Sequence, residues 1–189
     1  MLEGSRHFDE KSAVFDALRN ITKRLEEFGI PYGIVGGMAM FRHGFRRYTE
    51  DVDLLVTRES LDRIHKELTG LGYLPPHANS RHLRDTSNGV RVEFLVTGDF
   101  PGDGKEKPVA FPDPTKVTTT LDGARYVQLP TLVELKLASG ISAPGRLKDL
   151  ADVQELIKIL KLPRDFAGRL HPYVQERFTQ LWDDAAGSQ

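Results

Sequence analysis

The chain has 189 residues, a formal net charge of −1, and 39% hydrophobic and 28% charged residues, which is typical of one globular domain with or without a helical appendage. The balanced charge excludes a global basic field for nucleic acid, and the absence of cysteine excludes disulfides and thiolate metal sites. The charged N-terminus lacks the apolar core of a secretion signal and no apolar run is long enough to span a membrane, so we expect a cytoplasmic protein without membrane contact.

The first predicted element is an amphipathic helix over about residues 9–28. Its apolar residues recur every three or four positions: Val14, Leu18, Ile21, Leu25 and Phe28. Gly29 and Pro31 should end this helix, and a short buried strand is predicted over residues 32–35. We expect the helix to serve packing alone.

Gly36 and Gly37 follow the strand directly. Glycine adopts positive φ and lets a ligand approach the backbone, and the helix predicted over about 38–43 would offer N-terminal N–H groups to phosphate. Taken alone, a Gly-Gly pair is also compatible with a plain tight turn.

A cationic cluster lies between this helix and the next strand: Arg42, His43, Arg46 and Arg47. One or two of these arginines are candidates for holding triphosphate oxygens, for which the planar guanidinium is well shaped, and the alternative is a solvated loop. Thr49, two residues after Arg47, could cap the turn into the strand.

Two aspartates, Asp51 and Asp53, stand at the head of the apolar run 54–56. Residues i and i+2 of a strand share a face, which places their Cα atoms about 7 Å apart. Because two carboxylates this close repel each other and hard cations prefer carboxylate oxygen, the pair predicts a Mg²⁺ site.

The stretch from Gly36 to Val56, GGMAMFRHGFRRYTEDVDLLV, resembles the signature of the DNA polymerase β-type nucleotidyltransferase superfamily. The run before Asp51 is most similar to small bacterial nucleotidyltransferases related to AbiEii-like abortive-infection toxins. The resemblance implies a nucleotidyltransferase fold, with Arg47 and Thr49 in the positions of the family's Arg-x-Thr.

Beyond Val56, Thr57 is a candidate N-cap for a helix over about residues 58–71, and a short strand is predicted at 73–74. Asn88-Gly89 predicts a hairpin over residues 81–97. Alternation along its return strand places Glu93 on the face opposite the valines, and the resemblance implies that Glu93 is the third catalytic carboxylate. The alternative is a cross-strand ion pair with a basic neighbour such as Arg84.

The remainder reads as a Gly- and Pro-rich loop over 98–114, a second hairpin over 116–129 and a helical third. Helices are predicted over about 131–139, from 146 to 160, over 164–170 and over 172–184, with a break at 140–145. Whether the 98–114 loop is a lid or an insertion is left open.

Lys136 lies in an apolar helix, where a solvated lysine would be unusual. A nucleotide phosphate and a buried structural ion pair are both compatible with it. Asp149 and Asp152 share a helical face and could hold Lys148 or Arg146, and this part of the chain again resembles the bacterial nucleotidyltransferases.

The sequence therefore predicts an α/β protein with a small mixed sheet flanked by helices. We expect a catalytic core over residues 1–129 and a helical portion over 130–189 packed on it. The predicted activity is Mg²⁺-dependent nucleotidyl transfer, with two ions and Mn²⁺ as an alternative. Catalysis and metal binding are assigned to three residues: Asp51, Asp53 and Glu93. Nucleotide binding is assigned to six: Gly36, Gly37, Arg42, Arg47, Thr49 and Lys136.

The expected donor is an NTP such as ATP, and the acceptor is left open among a tRNA end, a protein side chain and a small molecule such as an aminoglycoside. A toxin–antitoxin module with a cognate partner protein is one expected context. The alternative is a degenerate domain that binds nucleotide or a partner protein without turnover.

Overall fold

The computed structural model describes residues 12–187, so the part of the predicted N-terminal helix before residue 12 lies outside it. The chain forms two compact units. The first consists of residues 12–42, 46–97 and 112–127, and the second of residues 43–45, 98–111 and 128–187. The chain leaves the first unit for the last time after residue 127, close to the expected boundary at 129. Two internal segments of the expected core, 43–45 and 98–111, belong to the second unit.

A seven-stranded mixed sheet forms the centre of the first unit, in the order β3-β4-β5-β2-β1-β7-β6. Pairs β2–β5 and β1–β7 are parallel, and the other neighbours are antiparallel. The strands are β1 Gly33–Val35, β2 Val52–Val56, β3 Tyr73–Leu74, β4 His82–Asp85, β5 Arg91–Val96, β6 Thr118–Leu121 and β7 Ala124–Val127. The predicted α/β class, the mixed sheet and both hairpins are confirmed.

Four helices complete the first unit: α1 Ala13–Glu27, α2 Gly36–Arg42, α3 Arg58–Leu68 and α4 Pro114–Val117. Helix α2 begins at Gly36, two residues before the predicted start, so both glycines belong to its first turn. Thr57 caps α3 as predicted, because its side chain accepts a hydrogen bond from the Ser60 N–H at 3.0 Å. The prediction that α3 extends to Leu71 is wrong: the chain turns extended at Thr69, and Leu71 is 57% exposed.

The two faces of the sheet differ in character. On one face, Val52, Leu54, Val92 and Phe94 are fully buried in a core with the apolar side of α1. Alternation then places the intervening residues of β2 and β5 on the opposite face, and these include Asp53 and Glu93. The polar residues singled out in the sequence therefore share one side of the sheet.

The second unit is helical, with α5 Leu129–Ser142, α6 Leu147–Leu160, α7 Pro172–Ala186 and two 3₁₀ turns at Pro144–Arg146 and Arg164–Arg169. The predicted break between the two helices is present but begins after Ser142, because α5 continues through Gly140. A Cβ at Gly140 would lie 2.5 Å from two carbons of Leu150, so this glycine permits close packing of α5 and α6. Among residues 12–187 no helix combines the length and hydropathy that a membrane span requires.

Candidate active site

Asp53 and Glu93 lie side by side on the parallel strands β2 and β5. The register pairs Asp53 directly with Glu93, flanked by the pairs Val52–Val92 and Leu54–Phe94. Paired residues on neighbouring strands project to the same face, and such strands lie about 4.8 Å apart. Two carboxylates forty positions apart in sequence thus become immediate neighbours on one face of the sheet, which they share with the buried Leu55.

Asp51 immediately precedes β2, and both aspartates are partly exposed. Strand β1 runs antiparallel to β2 and pairs Val35 with Asp53, so its C-terminal end leads into α2 beside the aspartates. The sheet therefore brings the glycine pair, the two aspartates and Glu93 close together on its three central strands β5, β2 and β1.

Each glycine of the pair leaves room for one predicted site residue. Gly36 has φ +64°, and a Cβ on it would lie 2.8 Å from the Cγ of Asp53. A Cβ on Gly37 would lie 2.8 Å from both Cβ and Oγ1 of Thr49. Such approaches are closer than side-chain carbons tolerate, so the first turn of α2 packs directly against Asp53 and Thr49.

Glu93 forms an ion pair with Arg91, at 3.0 Å between Nη2 and Oε2, within its own strand. The ion pair considered from the sequence, with Arg84, is therefore replaced by one with the residue two positions earlier. Across the hairpin Glu93 is paired in register with His82. Partial burial lowers the pKa of His82, and the nearby Arg91 lowers it further, which favours the neutral imidazole. His82 was missed, although the alternation of β4 indicates that it shares a face with Arg84.

The predicted phosphate-binding arginines have different surroundings. The guanidinium of Arg42 pairs with Asp122 in the turn between β6 and β7. Arg46 lies over the ring of Phe41, 5.3 Å from its centroid. Arg47 is partly buried two residues before Thr49. Arg47 is thus the arginine nearest in sequence to the site residues, while Arg42 is already engaged by a carboxylate.

Lys136 lies in the second unit and is buried. Its ammonium donates to Asp149 at 2.9 Å and to Asp152 at 2.7 Å, and the Ser139 hydroxyl donates to Asp149 at 2.7 Å. Burial alone would raise the pKa of Asp149, but Lys136 and the two hydrogen bonds outweigh it, and the pKa lies below its usual value. The two aspartates bind Lys136, as a structural ion pair does, and of the two expected partners Arg146 also lowers the pKa of Asp149 by its nearby charge.

The three predicted carboxylates offer hard oxygen ligands from the neighbouring strands β2 and β5, and such ligands suit Mg²⁺. Within residues 12–187, however, no three acidic or histidine side chains are gathered closely enough to hold an ion as they stand. One of the three carboxylates, Glu93, is engaged through its Oε2 by Arg91. The donor chemistry therefore fits a metal, although the three side chains do not converge on an ion in this arrangement.

Comparison with known proteins defines the class of fold. No family model matches the chain, and no curated protein is similar to it in sequence. Solved structures are similar over most of its length, and they identify the architecture as the nucleotidyltransferase fold.

Among these structures is ANT(2")-Ia in complex with adenylyl-2"-tobramycin, with 12% identity, a TM-score of 0.54, and coverage of 92% of this chain and 97% of that one. JHP933 from Helicobacter pylori has 17% identity, a TM-score of 0.51 and coverage of 92% and 89%. An antigenic nucleotidyltransferase-like protein from Paracoccidioides brasiliensis has 16% identity, a TM-score of 0.50 and 92% coverage of both chains.

Proposed function

We propose that the protein is a Mg²⁺-dependent nucleotidyltransferase that moves an NMP group from an NTP to an acceptor hydroxyl. The observation that carries the proposal is the Asp53–Glu93 pair on adjacent parallel strands, beside a glycine whose missing side chain makes room for Asp53. A packing role alone does not require an acidic pair of this kind on a sheet.

Asp51, Asp53 and Glu93 would hold the Mg²⁺ ions. The bound metal would supply charge neutralisation for the triphosphate and a lower pKa for the attacking hydroxyl. Glu93 would also accept the proton of that hydroxyl, and its partial exposure is compatible with this role.

The N-terminal turn of α2 would receive the β- and γ-phosphates on its backbone N–H groups, with Arg47 and Thr49 beside it. Arg42 joins this set only by exchanging Asp122 for phosphate. The hypothesis of a nucleotide contact by Lys136 is replaced in this proposal by a structural role, since two carboxylates already neutralise its ammonium.

In the proposed reaction the acceptor oxygen forms a bond to the α-phosphorus of the NTP. The bond from that phosphorus to the bridging oxygen of the β-phosphate breaks, and pyrophosphate leaves with its electron pair. The hydroxyl proton passes to Glu93 and then to solvent. No redox change occurs and no further co-reactant is needed.

The fold comparison supports this class of reaction. ANT(2")-Ia was solved with an adenylylated tobramycin, which is the nucleotidylated form of a small molecule. The resemblance of the Gly36–Val56 stretch to toxin-related nucleotidyltransferases extends the range of acceptors to RNA ends and protein side chains within a toxin–antitoxin module. Incubation with labelled NTPs and cell extract, followed by separation of RNA, protein and small molecules, would identify the acceptor class.

Pyrophosphate release from each NTP, with and without Mg²⁺, tests the proposal. We expect Asp51→Asn, Asp53→Asn and Glu93→Gln each to lower the rate by at least about a hundredfold while the circular dichroism spectrum is retained. Asp62→Asn, which removes an exposed carboxylate on α3, is the matched control and should keep full activity. Undiminished pyrophosphate release by the Asp51→Asn/Asp53→Asn double variant would refute the mechanism.

One observation favours a second candidate, a domain that binds nucleotide or a partner protein without turnover. The Arg91–Glu93 ion pair occupies the third carboxylate, as it would in a protein that no longer uses it. Calorimetric titration with ATP and Mg²⁺ beside the pyrophosphate assay separates the two candidates. Binding without pyrophosphate release from any NTP, in the presence of cell extract as acceptor source, would favour the second.

A further inference from the structure

A cleft of about 410 Å³ lies within the first unit, at the end of the sheet where β2 and β5 begin. It is lined by the first residues of α1, the segment 48–51 before β2 and the turn between β4 and β5. Asp51, one of the proposed catalytic carboxylates, and Thr49 form part of its wall.

Two arginines face each other across the hairpin in this cleft. Arg84 on β4 is paired in register with Arg91 on β5. Two pairs of this ladder are joined by backbone hydrogen bonds: the adjacent pair, with Asp85 N–H to Val90 O at 2.9 Å, and the pair three positions away, with Phe94 N–H to Arg81 O at 2.7 Å. Because bonded and non-bonded pairs alternate in an antiparallel ladder, Arg84 and Arg91 form a non-bonded pair, with Cα atoms typically about 4.5 Å apart.

Like charges directly opposite each other destabilise a hairpin unless an anion compensates them. Arg91 is partly compensated by Glu93 at 3.0 Å. Arg84 donates to the carbonyl oxygen of Gly89 at 2.6 Å, and this neutral acceptor leaves its charge in place. The Nε–H of Arg91 is also buried without an acceptor among the described residues. The pair therefore retains both positive charge and donor capacity.

The rest of the lining suits a ligand with a ring and hydroxyl groups. Tyr48, 43% exposed, offers an aromatic surface, and Asn88 offers an amide. Glu50 is the remaining charged residue besides Asp51, and it is exposed. Asp51 belongs to the proposed metal ligands and Glu93 pairs with Arg91, so Arg84 and the buried Nε–H of Arg91 are the groups that remain for an anionic ligand.

We propose that this cleft is the acceptor subsite and that the acceptor carries a phosphate group. The Arg84–Arg91 pair binds this phosphate while the attacking hydroxyl reaches the proposed catalytic carboxylates. The assignment of the cleft as an acceptor subsite rests on the proposed function. The phosphate site itself rests on the geometry of the arginine pair. A polycationic aminoglycoside is disfavoured at the arginine pair, because it would bring ammonium groups against two guanidinium groups and would have to rely on Glu50 instead. A phosphorylated sugar and the terminal nucleotide of a polynucleotide share the required chemistry.

Calorimetric binding without NTP or Mg²⁺ tests the phosphate site independently of turnover, with ribose 5-phosphate, ribose, a short oligoribonucleotide and tobramycin as probes. We expect at least one phosphorylated probe to bind about tenfold or more tightly than ribose and tobramycin, and its affinity to fall with ionic strength. Arg84→Gln should weaken that binding about tenfold or more. If the oligoribonucleotide alone binds, the phosphate belongs to a polymer. If both the oligoribonucleotide and ribose 5-phosphate bind, the site recognises a terminal phosphate.

Two control variants sharpen the test. Lys66→Gln removes an exposed charge from α3 and should leave phosphate binding unchanged. Glu50→Gln removes a carboxylate from the cleft lining and should preserve or strengthen phosphate binding, whereas it would weaken binding of a cationic acceptor. Unchanged affinity in Arg84→Gln, tightest binding by tobramycin, or no binding by either phosphorylated probe would overturn the proposal.

Transfer assays with labelled NTP complete the design. If phosphorylated probes bind through Arg84 but no NTP yields pyrophosphate with any acceptor, the proposed function fails and the phosphate site remains. If label is transferred to tobramycin or ribose at equal rates in the wild type and in Arg84→Gln, the phosphate subsite fails and nucleotidyl transfer remains.

Discussion

Asp53 occupies the space into which a side chain at position 36 would extend. The Cβ of any other residue there would lie 2.8 Å from Asp53 Cγ and 3.0 Å from its Cβ, and nearer still to Oδ2. The backbone at Gly36 is also left-handed, with φ +64°. Glycine at 36 and aspartate at 53 are therefore coupled by sterics across β1 and β2.

Gly36→Ala should displace Asp53 and abolish activity. The substitution adds left-handed strain of about 1–2 kcal/mol and a clash with the carboxylate that a side-chain rotation alone does not relieve cheaply. Gly29→Ala is the matched control, because Gly29 has φ +61° with no atom within 4 Å of an added Cβ. Urea unfolding should show similar destabilisation by backbone strain in both variants. Pyrophosphate release should be lost only in Gly36→Ala. Equal activity of the two variants would contradict the coupling.

Lys136→Met should destabilise the protein by about 3–5 kcal/mol at neutral pH, because it leaves Asp149 and Asp152 charged and without their cation. Lys148→Met, which removes an exposed charge from the same region, should change the free energy of unfolding by less than about 0.5 kcal/mol. Urea unfolding monitored by circular dichroism measures both.

The contribution of Asp149 to the pH dependence of stability should change in Lys136→Met. In the wild type the lowered pKa of Asp149 contributes stability that is present above its unfolded pKa and is lost as pH falls through the folded value. Without Lys136, burial is opposed by the Ser139 hydrogen bond and the charge of Arg146, so the stability difference between the wild type and the variant should narrow as pH is lowered from 7 towards 5. A variant whose stability falls with pH like that of the wild type would show that the ion pair is not responsible.

Lys107→Met should loosen the segment 98–111. The Lys107 side chain is 5% exposed, and its ammonium donates to Asp103 at 2.7 Å and to the carbonyl oxygens of Pro101 and Lys105 at 2.8 and 2.6 Å. Three carbonyl and carboxylate oxygens would lose their donor. We expect faster proteolysis within this segment, while Lys105→Met, an exposed neighbour, should be cut at the wild-type rate.

Gly140→Ala should separate α5 from α6, at a cost of about 1–3 kcal/mol for overpacking against Leu150. Gly145→Ala, where an added Cβ has open space, should be neutral within about 0.5 kcal/mol. Thermal unfolding of the two variants in parallel distinguishes close helix packing from a general intolerance of side chains in this part of the chain.

Local patterns in the sequence predict much of this fold. Alternation from Val90 to Val96 separates Glu93 from the core, and the Asn88-Gly89 and Asp122-Gly123 pairs locate both hairpin turns. These features depend on neighbouring residues alone, so a single sequence contains them.

Contacts between distant segments were not predictable in the same way. The identity of the partner of Lys136 depends on how α5 meets α6, and Gly140 resembles a helix breaker unless its contact with Leu150 is known. Likewise, Arg91 rather than Arg84 pairs with Glu93, a choice between two basic residues that strand alternation leaves equivalent. The register between β2 and β5 belongs to this second group as well, since forty residues separate its members.

The long chain separation between β2 and β5 has a kinetic consequence. Parallel strands joined through an intervening helix and two further strands pair late, because the entropy of a long loop must be overcome before the contacts form. The Asp53–Glu93 pair should therefore form only when the sheet is nearly complete, and partly folded chains should lack activity. In refolding experiments, recovery of enzymatic turnover is expected to coincide with amide protection in β5 and to lag behind the appearance of helical signal.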